Sequence, residues 1–412
     1  MKSSKLSHLF LVSALGLVVA SLLSGCLITT IDWLFAADST GSSPGSSGQI
    51  EVYAVDSESG ALRPAHQPLF PSGGTNPVAL AATSDYANLY VANQGNNTIV
   101  HFSIAYMGGL TQKDKITTSS PPVAMVINGT NTDLFVVSGT NSATLTEYAI
   151  GAGGAIGSVV ATETLALPGH TSDILVPTAV SVPPNASLAN NNAVYVAVYD
   201  QSAYNPGGTV TSNANPGWIF GYTAGSGGTL APVAGSPWLA GVKPVSIAID
   251  PTNRLMYATD YASNQLIGYL VQGGGRLSFM VNGPFPTGSE PTSVVVDPRG
   301  LYIYVSNSLQ NTISAYDINL PTGTPSAVIN TITTGNNTTD SDPVDIIIDA
   351  ALGRFVYTAN HLGNDVSGFL INPNNGSIQY ATENTPYSLS GANPTAILTI
   401  PHGNHAIQSV TP

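Results

Sequence analysis

Acid, base and cation gather at one place in this sequence. Lys243, Glu290 and Asp342 each stand immediately before a proline that opens a short apolar run, and the runs that follow end at Asp260, Asn307 and Asn360, with His361 just beyond. A carboxylate or an imidazole can draw a proton from water, and an ammonium can hold the oxyanion formed when that water attacks an ester carbonyl. This set suits opening of a lactone, with Glu290 or His361 as base and Lys243 holding the carboxylate or oxyanion. Charged residues make up only 8% of the chain, so the gathering stands out. A plainer reading competes: solvated loop charges making surface pairs, and asparagines that form turns or cap strand ends.

Other chemistry-bearing residues are less promising. His402 and His405 flank a hairpin turn, and Asp250, Asp297 and Asp349 read as turn aspartates on the opposite face. His101 falls at an alternating position within a strand. No phosphate loop, HExxH, EF-hand or zinc spacing occurs, so neither a metal nor a cofactor is expected. The formal GxSxG match at Gly41–Gly45 lacks the strand and helix that a nucleophile elbow needs.

The elements that must position the cluster follow from an internal repeat. Seven prolines open short apolar runs: Pro77, Pro122, Pro177, Pro244, Pro291, Pro343 and Pro394. Pro244-Val-Ser-Ile-Ala-Ile-Asp250 and Pro343-Val-Asp-Ile-Ile-Ile-Asp349 are typical. Such runs suit a strand buried on both faces, and proline is tolerated at a strand's first residue. A second strand ends at Asn93, Ser138, Asp260, Asn307 or Asn360, and an alternating third strand follows. Seven hairpin glycines then lead into a fourth strand: Gly60, Gly109, Gly154, Gly228, Gly275, Gly323 and Gly376. Equal counts predict an all-β fold, a single seven-bladed β-propeller of four-stranded antiparallel blades. The last blade is closed by both chain ends: third and fourth strands near Ile50–Asp56 and Leu62–Phe70, first and second strands at Pro394–Ile400 and Ala406–Val410. Loops before the prolines and after the second strands then share one face, around the channel mouth. Asn93, Asn307 and Asn360 join Asp260 and Asp342 there as expected ligand-binding residues.

Tyr90-Val91-Ala92-Asn93 and Tyr304-Val305-Ser306-Asn307 resemble the repeat that names the YVTN propellers. The body as a whole resembles the seven-bladed lactonase family, which includes 6-phosphogluconolactonase-like proteins. Leu362-Gly363-Asn364-Asp365 is similar to that family's Asp-Leu-Gly-x-Asp stretch, with His361 in place of the leading Asp. The resemblance implies lactone hydrolysis at the mouth. It departs from the family where Gln94, Ser308 and His361 follow the second-strand asparagines and where no His-Ala-His occurs.

The N-terminus reads as a processing signal. Lys2 and Lys5 precede an apolar stretch from Leu9 to Leu23, and Leu23-Ser24-Gly25-Cys26 resembles a bacterial lipobox. Residues 1–25 are expected to be a lipoprotein signal peptide, 26–48 a lipidated Cys26 with a flexible Ser/Gly/Pro tether, and 49–412 the propeller. Cys26 is the only cysteine, which excludes an internal disulfide. A net charge of −13 argues against nucleic acid. The expected location is the cell envelope, lipid-anchored on the periplasmic or surface side, as a monomer. Between Asp200 and Gly217 an Asn/Gly-rich insertion, opened by Tyr199 and Tyr204, is expected to project over the mouth. With no complete catalytic set, the leading expectation is a binding module whose loop face meets an envelope protein, a sugar or another small ligand. A lactone hydrolase is the alternative, and a structural envelope protein the second.

Overall fold

The computed structural model describes residues 29–39, 47–169, 173–204, 216–225, 227–335, 340–381 and 385–402. Seven antiparallel sheets form the blades of a propeller, and the only helical pieces among the described residues are two three-residue turns. Blade 4 shows the plan: Pro244–Ile249 innermost, then Leu255–Asp260, Gln265–Val271 and Leu277–Phe279, with Phe285–Pro286 added to its third strand. Blades 1, 2, 3, 5 and 6 begin at Pro77, Pro122, Leu175, Pro291 and Pro343. In blade 3 the marker proline, Pro177, lies two residues inside the first strand.

The second strands form the most buried layer, as in Leu255–Asp260 and Phe355–Asn360, where every residue is buried. Their tyrosines lock five of the blades to the next. Tyr90, Tyr195, Tyr257, Tyr304 and Tyr357 donate their hydroxyls to the carbonyls of Gly154, Gly275, Gly323, Gly376 and Gly60, each on the neighbouring blade. Those hairpin glycines have positive φ, where a side chain would be strained. In blade 1 that role falls to Gly108 (φ 74°) and not to Gly109, because Trp33 packs where its Cβ would be. Inner strands are tied as well: the hydroxyls of Thr178, Thr292 and Thr395 donate to the carbonyls of Pro244, Pro343 and Pro77 at 2.6 Å.

Closure differs from the expected division. The seventh sheet runs Leu62–Thr75, Ser47–Asp56, Thr30–Ser39, Pro394–Pro401, so the N-terminus supplies three strands and the C-terminus one. Thr30–Ser39, expected within the tether, is the second strand, with Ile31 to Asp38 all buried. Burying Trp33, Leu34 and Phe35 is worth about 1.5–3 kcal/mol per side chain, which a solvated tether would forgo. The place expected for Ala406–Val410 is thus occupied; those residues, like the signal segment, Cys26 and His405, lie outside the described residues. Two faces result. The turns between first and second and between third and fourth strands form the base, where Thr30 enters; the remaining loops form the mouth. At the base, Asp250, Asp297 and Asp349 accept backbone N–H groups of their own turns, as turn aspartates do. No helix of the described residues is long and apolar enough to cross a membrane.

Candidate active site

Three loop modules of one design build the mouth on blades 4 to 7. After each second strand, an asparagine in the left-handed region (Asn264, Asn311 or Asn364) turns its carbonyl to the residue that precedes the next blade's proline. Asn264 accepts the N–H of Glu290 at 2.8 Å, Asn311 that of Asp342 at 2.8 Å and Asn364 that of Asn393 at 2.6 Å. This holds Glu290 (φ 55°) and Asp342 (φ 50°) in a conformation that asparagine adopts more readily, as Asn76 and Asn393 do at the equivalent places. An acidic side chain at these two positions therefore sits on backbone that would be less strained with asparagine.

The structure brings Lys243, Glu290, Asp342 and His361 together, each partly exposed. The Lys243 ammonium lies among three tyrosine rings, 4.6 Å from the centroid of Tyr261, 5.2 Å from Tyr204 and 5.5 Å from Tyr199. Burial lowers its pKa, and the Glu290 charge counteracts part of that. Glu290 Oε2 accepts the Tyr261 hydroxyl at 2.7 Å. Asp342 is pushed up by burial, eased by His361 and pushed up further by the Glu290 charge. His361 Nδ1 lies 3.0 Å from the Pro394 carbonyl. A carbonyl only accepts, so Nδ1 carries a proton, and in the neutral ring Nε2 keeps the lone pair.

Asp260, Asn93, Asn307 and Asn360 sit one position deeper and are fully buried. Asp260 accepts the backbone N–H groups of Val242 and Lys243, both at 2.9 Å. Asn93 exchanges bonds with Ser72, Asn307 donates to Ser314, and Asn360 donates to Asp365 and Ser367. The Asp260 carboxylate holds the mouth loop before Pro244, whereas the Asn307 and Asn360 amides tie the second strand to the third. Tyr261 was not singled out from the sequence; its signal was its place one residue past a second strand, the place His361 takes on blade 6. Of the blade 3 insertion, Tyr204 reaches the cluster, and 205–215 lie outside the described residues.

A family model described as "Lactonase, 7-bladed beta-propeller" matches residues 46–169 and 240–407. The chain belongs to that family. The unmatched stretch between the two segments is blade 3, which folds as a blade nonetheless. No curated protein sequence matches the chain. Among solved structures, this lactonase-family propeller is similar to the periplasmic gluconolactonase PpgL of Pseudomonas aeruginosa, with 17% identity, a TM-score of 0.70, and coverage of 91% of this chain and 100% of the other. It is also similar to a putative 6-phosphogluconolactonase from Bacteroides uniformis, with 15% identity, a TM-score of 0.68, and coverage of 90% and 100%. At these identities the likeness establishes the fold.

Proposed function

We propose that this lactonase-family propeller hydrolyses a lactone at its mouth, the family membership favouring an enzyme over a pure binding module. The observation that carries the reading is His361, whose Nδ1–H is committed to the Pro394 carbonyl while Nε2 remains available as a base beside the Asp342 carboxyl. His361 takes a proton from water as that water adds to the lactone carbonyl, and Asp342 stabilises the imidazolium that forms. Lys243, placed by its three tyrosines, holds the developing oxyanion. Collapse of the tetrahedral adduct breaks the ring C–O bond, the His361 imidazolium returns its proton to the leaving alkoxide oxygen, and a hydroxy acid results. Glu290 keeps Lys243 charged and, with Tyr261, fixes its position.

The charge distribution favours an unphosphorylated sugar lactone. Arg254, Arg276, Arg299 and Arg354 lie in base turns, Arg63 lies beside one, and Lys113 and Lys115 lie in the outermost strand of blade 1. A phosphate dianion calls for several converging donors, and Lys243 is the cation of this cluster. The location we propose is the envelope, with Cys26 lipidated. Cys26 precedes the base strand Thr30–Ser39 by four residues, so the lipid would face the base to the membrane and the mouth away from it. Palmitate labelling that persists in Cys26→Ser would overturn the anchor.

Acid release from a panel of phosphorylated and unphosphorylated sugar lactones tests the activity. Turnover of the unphosphorylated compounds is expected to fall by about 10²–10⁴ in His361→Ala, the usual contribution of a general base. No turnover by the wild type, or undiminished turnover in His361→Ala, overturns the assignment and returns the mouth to a binding role.

A further inference from the structure

A polar cavity, about 330 Å³ in volume, lies on the base side between blades 2 and 3. Asn128, Thr132, Asp133 and Glu147 line it from blade 2, and Asn191 and Asn192 from blade 3. No Lys, Arg or His is among its described lining residues. Asp133 and Glu147 belong to adjacent strands: Asp133 pairs with Ala149 and Phe135 with Glu147, which puts both carboxyls on one face of the sheet. The two carboxyl groups are in contact. Glu147 is 3% exposed, and its Oε2 is buried with no hydrogen-bond partner. Asp133 Oδ2 already receives the Asn128 amide at 2.6 Å and the Thr132 hydroxyl at 2.7 Å.

Two carboxyl groups in contact, one with a buried oxygen that no donor reaches, call for something positive between them, because a lone buried carboxylate is costly. A shared proton meets that need at the pair itself and leaves the adjoining space, walled by neutral oxygens, without a purpose. We propose that this cavity is a calcium-type divalent cation site, with Asp133 and Glu147 as its charged ligands and side-chain amide and hydroxyl oxygens of blades 2 and 3 completing an oxygen shell. Hard cations of this size take six to eight oxygens in flexible geometry, whereas magnesium demands a smaller, regular octahedron. No group of three or more His, Cys, Asp or Glu suited to a metal occurs among the described residues, so two charges set the affinity. That places the site with extracellular calcium modules, on the order of 10⁻⁴–10⁻³ M. A bound ion would fasten blade 3, which contributes Tyr199 and Tyr204 to the mouth, against blade 2.

The test is calcium titration of the chelator-stripped purified protein by calorimetry, paired with thermal melts. One saturable calcium per chain is expected, raising Tm by about 2 °C at ten times Kd for a chain of this length, with a weaker response to magnesium. Glu147→Gln keeps the side chain's shape and removes the repulsion, so it should fold with an unchanged or higher Tm while calcium affinity drops at least tenfold. Asp133→Asn should lose affinity in the same way. No saturable binding, or calcium binding unchanged in both variants, overturns the proposal.

Discussion

Asp38→Asn should stabilise the protein increasingly as pH rises from about 4 to 7. Asp38 lies in the N-terminal strand paired with Pro394, the place that Asp260 takes opposite Pro244. Asp260 receives two backbone donors there. Asp38 receives none: both its oxygens are buried without a hydrogen-bond partner. Glu51, its neighbour on the next strand, already accepts the Tyr53 hydroxyl and the Gly391 N–H, both at 2.6 Å. A Cβ on Gly391 would lie 2.1 Å from Asp38 Oδ2, so that loop is pressed directly against the carboxyl. Burial, and then Glu51, push Asp38 from 3.8 up to about 7.

The raised value means that the folded chain holds a proton which the unfolded chain has released throughout that window. Stability therefore falls as pH rises from the unfolded pKa to the folded one and is level above it. At 1.36 kcal/mol per pH unit the full shift is worth about 4 kcal/mol, and with the proton shared with Glu51 half to all of it falls on Asp38, about 2–4 kcal/mol. Unfolding entropy for a chain of this length is about 0.8 kcal/mol per degree, which makes the gain in Tm at pH 8 about 3–5 °C. Asparagine fits the place, since Asn93, Asn307 and Asn360 occupy it on blades 1, 5 and 6, and its amide gives Glu51 a donor. Melts of both proteins from pH 4 to 8 decide the matter. Parallel Tm–pH curves, or a variant less stable than wild type at pH 8, would refute a protonated closing pair.

Two further outcomes concern the mouth. Asp342→Asn removes a carboxyl that burial pushes up and places asparagine where Asn76 and Asn393 already take positive φ. Tm at neutral pH should rise by a small amount, on the order of 1 °C, while kcat/KM falls about tenfold or more as the His361 imidazolium loses its partner. In Glu290→Gln the charge that supports protonated Lys243 is gone, so the alkaline limb of the kcat/KM profile should move to lower pH; a limb that stays in place would remove Lys243 from the reaction.

The blades were legible because each repeats a proline, a β-branched run and a turn glycine, and those residues follow from local backbone geometry. The N-terminal strand was harder to see, although Trp33-Leu-Phe-Ala-Ala-Asp38 has the pattern of Leu255-Met-Tyr-Ala-Thr-Asp260. Its first-strand partner, Pro394–Pro401, lies at the far end of the chain, so no proline run precedes it to mark the repeat. The low-complexity stretch just after it, Ser42-Ser-Pro-Gly-Ser-Ser-Gly48, also drew the whole segment into the expected tether. Similarly, Gly109 looked like its counterparts on the other blades, and only the approach of Trp33 across the blade boundary shows that Gly108 makes the turn.

At the mouth, the sequence pointed to loops that the fold brings together but could not separate two rings of residues one position apart. Side chains alternate along a strand, so the last residue of each second strand turns inward beneath the loop and the next one leaves the sheet. Asp260, Asn307 and Asn360 take the inner place: Asp260 accepts loop-backbone N–H groups, and the two asparagines donate to side chains of the third strand. Tyr261, Ser308 and His361 take the outer one, beside the residues that precede the prolines. Both rings are polar, and composition does not distinguish a buried brace from a reacting group. What does is the partner: Asp260 spends its carboxylate on two backbone N–H groups, whereas His361 spends one nitrogen on a carbonyl and keeps the other. The proposed chemistry is therefore assigned to the outer ring, and substitutions in the inner ring should lower Tm and activity together, whereas His361→Ala should lower activity alone.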